Sequence, residues 1–344
     1  MIGQAMERLS VLAAAALFAL FISFGLIMLV RPWLARHAVA QPNVRSSHHA
    51  PTPQGGGIAV VIATLAVTGV LSALWLPIEG GQLLPISAAA GLLAVVGAID
   101  DMRSLPTAAR LLMHCIAVGA VIAALPNELR LLPQVPFWIE RTGLFLGGVW
   151  FVNLVNFMDG IDWMTVAEVV PVTGAMVVLG VAGTIAPAPA AVAAALLGAT
   201  LGFAPFNRPV ARLFLGDVGS LPIGIVLGWL LLELAGRGHR TAALILPLYY
   251  LADATITLAR RIARGEPFWL AHRTHFYQRA TDNGFTVAEI VVRVFLVNLA
   301  LAVLALVAVA AQGIAVPLIS LAVAVAVVAP LLVSFARARR RPKD

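Results

Sequence analysis

The sequence predicts an all-α polytopic membrane protein, and three observations carry that prediction. Hydrophobic residues make up 61% of the 344 positions, with a mean hydropathy of +0.96, well above the roughly 45–50% apolar usage of soluble domains. The apolar residues fall into about eleven runs of bilayer-spanning length. Gly and Pro are plentiful, at 29 and 21, as membrane helices tolerate when neighbouring segments satisfy the freed backbone groups. The length fits one membrane domain over 1–344 without a large soluble appendage. A single cysteine, Cys115, excludes an intrachain disulfide and reads as a small buried side chain.

Taken in order, the first run is 10–30. Ala38-Val39-Ala40 resembles a signal cleavage site, but the run exceeds a secretory h-region, and Arg31 and Arg36 follow it rather than precede it. The remaining runs lie near 57–77, 83–99, 108–125, 143–158, 164–183, 188–204, 219–235, 241–259, 287–311 and 315–335. Those at 83–99 and 143–158 are short. Only the Pro/Gly/Ala-rich stretch 183–190 divides the sixth from the seventh, so ten spans is the alternative count.

Orientation follows from the basic residues. An outside N-terminus places 31–56, 100–107, 159–163, 205–218, 260–286 and the tail 336–344 inside. These segments hold sixteen of the 23 Lys and Arg residues, against five in the opposite loops. The positive-inside bias therefore predicts an outside N-terminus and a cytoplasmic C-terminus, and an odd span count agrees. The tail Arg337-Ala-Arg-Arg-Arg-Pro-Lys343 reads as a topology anchor on anionic lipid. No nucleic-acid partner is expected.

This topology collects three acidic clusters on one face: Asp100-Asp101, Asp159/Asp162 and Asp217. Unpaired carboxylates are costly in lipid, so such groups are expected to be paired, hydrated or metal-bound. Adjacent Asp100 and Asp101 cannot both be comfortable buried anions without a cation; either Mg²⁺, which prefers oxygen ligands, or Arg103 could answer them. Asp159 and Asp162 share a face if their segment is helical, whereas Gly160 suggests a turn. Asn153 and Asn156 add polar groups to the same run. In Leu215-Gly-Asp217-Val-Gly-Ser220, Ser220 is a candidate cap and the helix-start amides a candidate phosphate seat. Gly55-Gly-Gly57 permits close approach of a phosphate or head group. The loop 260–286 carries Arg260, Arg261, Arg264, His272, Arg273, His275 and Arg279, and guanidinium groups suit diphosphates. The catalytic segments are therefore 31–56, 100–107, 153–163, 205–221 and 260–286.

In order, Pro53-x-Gly55-Gly-Gly57, Asp100-Asp101, Asn153-x-x-Asn156-x-x-Asp159-Gly-x-Asp162, Asn207, Phe214-x-Gly-Asp217-x-Gly-Ser-Leu221 and the His loop resemble the polyprenyl-phosphate N-acetylhexosamine-1-phosphate transferases, glycosyltransferase family 4. The resemblance covers about residues 45–285. It implies transfer of a sugar 1-phosphate from a UDP-N-acetylhexosamine to undecaprenyl phosphate with release of UMP, at the cytoplasmic face of a bacterial inner membrane. It implies Mg²⁺, with Mn²⁺ as a substitute, bound by Asp217 and Asp100. It places Asp100, Asp101, Asp159 and Asp162 in catalysis. It places Asn156, Asn207, Phe214, His272, Arg273 and His275 on substrate, Phe214 stacking on the uracil, and it implies a homodimer.

Two departures matter. Trp163-Met164 stands where many members have Gly-Leu, and His272-Arg-Thr-His275 is not the clustered three-His motif of the phospho-N-acetylmuramoyl-pentapeptide transferases. They turn the expectation from peptidoglycan synthesis towards initiation of an O-antigen, exopolysaccharide or other envelope glycan, with N-acetylglucosamine as the default sugar and 6-deoxy-N-acetylhexosamines as alternatives. The pentapeptide transferase is the rival within the family. From another class, a transporter or flippase would use mid-membrane groups such as Asp253 and Glu233, and a non-catalytic scaffold would not need five interfacial carboxylates.

Overall fold

The computed structural model describes residues 2–40, 51–74, 83–266 and 273–339. In chain order these form α1 (Ile2–His37), β1 (Val39–Ala40), β2 (Thr52–Pro53), α2 (Gly57–Leu74), α3 (Leu83–Met102), α4 (Thr107–Ala124), α5 (Phe137–Met158), α6 (Met164–Val181), α7 (Pro187–Asn207), α8 (Asp217–Gly236), α9 (Arg240–Ile245), α10 (Leu248–Ala263), α11 (Phe276–Asp282), α12 (Val287–Ala310) and α13 (Ala315–Ala336). The strands are a two-residue antiparallel pair, Val39 opposite Pro53. The protein is an all-α polytopic membrane protein, as its composition predicts.

Among the described residues, nine helices are long and apolar enough to cross a bilayer, and they correspond to nine of the eleven predicted runs. The other two differ. The fifth run is the 22-residue α5, whose first turns carry Glu140 and Arg141. The ninth is split into α9 and α10 at Leu246-Pro247, because proline has no N–H to donate and its ring clashes with the preceding turn.

The helices arrange by how apolar they are all round. A helix hydrophobic on every side belongs in the interior, and α8 has 89% of its apolar stretch buried, with α7 at 78%. Outer helices α1, α4 and α13 bury only 28% and present side chains such as Phe18 and Leu29 outward. In lipid no hydrophobic force drives helices together, so close backbone approach through small residues matters. A Cβ on Gly198 or Gly202 of α7 would collide with the backbone of α1 at Ala16 or Leu20, and one on Gly57 of α2 with Gly219 of α8. A Cβ on Gly97 of α3 would likewise strike the backbone at Asp217 and Val218, so α2 and α3 both lie against α8 and the loops at that end of the bundle come together.

Candidate active site

All three acidic clusters meet at that end. Asp101, in the last turn of α3, accepts hydrogen bonds from the backbone N–H of Asp217 (2.9 Å) and Val218 (3.2 Å), the first residues of α8. Helix starts leave such donors without intrahelical partners, and a carboxylate also complements the helix dipole there. This corrects the expectation that Ser220 caps α8 and that these amides seat a phosphate; Ser220 Oγ instead accepts from Asn156 Nδ2 at 2.9 Å. Gly216, at φ +77, precedes the helix because a Cβ there would strike the Asp101 carboxylate.

Asp100 turns the other way. Its oxygens accept the Leu105 N–H (2.6 Å) and Arg110 Nη1 (2.7 Å). The cation answering the pair is thus Arg110, from the first turn of α4, and not the exposed Arg103. Arg110 also stands 3.8 Å from Asp217 Oδ2. The opposite oxygen of Asp217 accepts from Asn156 Nδ2 at 2.8 Å, so one amide orients both Asp217 and Ser220.

The α5 helix ends at Met158, so residues 159–163 form the turn that Gly160 suggested, and the two carboxylates take different partners. Asp162, 3% exposed, accepts the Ala211 N–H at 2.9 Å. Asn207 braces this turn: its Oδ1 accepts the Trp163 N–H (2.8 Å) and its Nδ2 donates to the Leu213 carbonyl (3.0 Å). The Gly55–Gly57 turn packs on the segment before α8, the Gly56 N–H donating to the Phe214 carbonyl at 2.9 Å and the Phe214 N–H to that of Pro53 at 2.8 Å.

Asp159 accepts a short hydrogen bond from the Thr165 hydroxyl. Burial first, then the charges of Asp217, Asp101 and Asp162, push its carboxyl up to about 8, with the Thr165 bond opposing. Because the folded value lies above the unfolded one, Asp159 favours folding while protonated, and that stability is lost as pH rises from about 4 to about 8. In chelator-treated protein, thermal stability should therefore fall across this window. Asp159→Asn should flatten the fall; an unchanged slope would contradict the assignment.

A cavity of about 220 Å³ lies at the centre, lined by Gln54, Asp101, Asn156, Asp159, Gly160, Ile161, Asp162, Asn207, Phe214, Leu215, Gly216 and Asp217. Seven of the residues expected from sequence thus share one cavity. Asp100 adjoins it through Arg110. Arg273 pairs instead with Thr281 (2.9 Å) and Asp282 (3.3 Å), and His275 is buried with Nδ1 3.2 Å from Asp253; neither lines the cavity. His272 lies outside the described residues. Arg110 and Gln54 were missed by sequence reasoning. A lone arginine at the edge of the apolar run 108–125 was the available signal for the first, and a loop glutamine offered none.

Among the described residues no three His, Cys, Asp or Glu side chains form a ready metal cage. The donors present are oxygens, with Asp217 and Asp159 both facing the cavity. A hard divalent ion held by one or two carboxylates and completed by substrate phosphates fits that set.

The glycosyl transferase family 4 pattern matches residues 83–235, which hold every carboxylate of the site. A phospho-N-acetylmuramoyl-pentapeptide-transferase of Kocuria rhizophila is 31% identical over 63% of this chain and 72% of its own length. The chain belongs to glycosyl transferase family 4. Two further family 4 relatives match over more of their length. A probable undecaprenyl-phosphate N-acetylglucosaminyl 1-phosphate transferase of Bacillus subtilis is 26% identical over 84% of each chain. A decaprenyl-phosphate N-acetylglucosaminephosphotransferase of Mycobacterium leprae is 24% identical over 86% of this chain and 82% of its own.

Proposed function

We propose that this chain transfers an N-acetylhexosamine 1-phosphate from a UDP-sugar to undecaprenyl phosphate and releases UMP. The observation that carries this reading is the convergence of Asp101, Asp159, Asp162 and Asp217 with Asn156 and Phe214 on one cavity at the end of a membrane bundle. The names of the family 4 relatives support it. In the reaction a lipid phosphate oxygen attacks the phosphorus next to the sugar, and the bond from that phosphorus to the UMP oxygen breaks. We favour direct attack, since it needs no unusually nucleophilic carboxylate.

A diphosphate can approach four carboxylates only with positive charge between them. We assign that charge to Mg²⁺, with Mn²⁺ as a substitute, held by Asp217 with Asp159 beside it; when bound, it would neutralise charge on the donor phosphates. Asn156 orients Asp217. Asp101 fixes the α8 start on which Asp217 stands. Asp162, Asn207 and Phe214 shape the nucleotide pocket, Phe214 stacking on uracil. Asp100, beside Asp217 and paired with Arg110, aligns that cation and is the second candidate ligand of the same ion. Arg110→Gln should lower turnover about a hundredfold, the scale of losing one preorganised charge at a phosphoryl centre; turnover within about threefold of wild type would remove Arg110 from the site.

The arginine bias supports the cytoplasmic face of a bacterial inner membrane for this end of the bundle, where the product would initiate an envelope glycan; a homodimer belongs to the same proposal. A second reading, pentapeptide transfer, is supported by the relatives with that name. The test is UMP release by purified protein with undecaprenyl phosphate and Mg²⁺, offering UDP-N-acetylglucosamine, UDP-N-acetylfucosamine and UDP-N-acetylmuramoyl-pentapeptide in turn. Lipid-dependent release with an N-acetylhexosamine alone supports the first reading. Release with the pentapeptide donor alone supports the second, and none with any donor contradicts both.

A further inference from the structure

Asp253 is a fully buried carboxylate in α10 that the reaction does not use. A buried charge is tolerated only when richly hydrogen-bonded. Asp253 accepts the backbone N–H groups of Phe276 (3.0 Å) and Tyr277 (3.1 Å), and lies within 3.2 Å of His275 Nδ1. Tyr249 and Thr257 add longer hydroxyl contacts, at 3.3 and 3.4 Å. The two amides are donors at the start of α11, which have no intrahelical partner. The carboxylate therefore pins the first turn of α11 to α10.

That turn carries Tyr277, which is itself fully buried. Its hydroxyl reaches α5 and donates to the Phe157 carbonyl at 2.9 Å. Phe157 is in the last turn of α5, where carbonyls lack helical partners, and the Asp159–Asp162 turn begins two residues later. The same hydroxyl lies against Gly160, so closely that a Cβ there would overlap it. The glycine between the two carboxylates is thus needed for close approach, although its φ is not positive.

We propose that Tyr277, held in place by Asp253, is a positioning residue that sets the Asp159–Asp162 turn, and thereby the nucleotide-sugar pocket. The kinetic part rests on the transfer reading above; the structural part does not.

Tyr277→Phe removes one oxygen and keeps the ring. The expected result is an unchanged fold by thermal unfolding, with faster hydrogen exchange, by about tenfold, at the amides of 158–162. KM for the UDP-sugar should rise about tenfold while KM for undecaprenyl phosphate stays put. A role confined to folding would lower the active fraction and leave both KM values unchanged, which would overturn the proposal. Exchange at 158–162 matching wild type would also overturn it. If wild-type protein transfers nothing, the transfer reading fails and the exchange arm alone decides. Gly160→Ala approaches the same contact from the other side. It should be tolerated better in the Tyr277→Phe background than in wild type; equal effects in the two backgrounds would contradict the contact's role.

Discussion

Asp217→Asn is expected to abolish transfer, with turnover falling by about a thousandfold or more, while the protein stays folded. The amide keeps the shape of the side chain but removes the charge that would hold a cation over the donor diphosphate. The supports around it should survive: Asp101 still accepts from the α8 backbone, and an amide oxygen can still accept from Asn156, which donates to Asp217 now. Loss of activity with an unchanged unfolding temperature would place the effect in chemistry. Turnover above about a tenth of wild type would remove Asp217 from the centre of the account.

Gly97→Ala is expected to damage both fold and activity. Gly97 lies in α3 where it passes the first turn of α8, and a Cβ there would run into the carbonyl of Asp217 and the nitrogen of Val218. Backbone cannot rotate aside as a side chain can, so the cost should reach or exceed the roughly 1–3 kcal/mol of ordinary overpacking. Any relaxation moves Asp217 away from Asn156 and Arg110, so turnover should fall with stability. Gly91→Ala, on the same helix with nothing within 4 Å of its Cβ, is the control. It should be neutral or slightly stabilising, since alanine favours helix over glycine. Thermal unfolding of the two variants checks the contrast; equal behaviour would mean that α3 and α8 do not cross as described.

How much of this was legible in the sequence depends on how local the cause is. Hydropathy is a sum over neighbours in the chain, so the long helices could be read, and Gly160 announced the turn after α5. The acidic residues could be listed because carboxylates are conspicuous in an apolar chain. Their partners could not. The amides that Asp101 accepts belong to residues 116 and 117 positions away, and any helix start offers similar donors. The resemblance placed His275 on substrate, yet the fold turns it onto Asp253, because a buried carboxylate gathers the nearest donors. Asp253 stood out in the sequence only as an intramembrane carboxylate that the rival transporter would use, and the fold makes it the anchor of α11. The split at Pro247 was visible in principle, but composition averaged over 241–259 concealed it.

The most direct test of the central claim follows the phosphorus. Purified protein is given Mg²⁺, undecaprenyl phosphate and UDP-N-acetylglucosamine labelled with ³²P on the phosphate next to the sugar. If the chain transfers a sugar 1-phosphate, the label moves into the solvent-extractable lipid in step with UMP release. If the label stays in the aqueous phase as UDP while the sugar reaches the lipid, the chain transfers the sugar alone and the account of this site is contradicted.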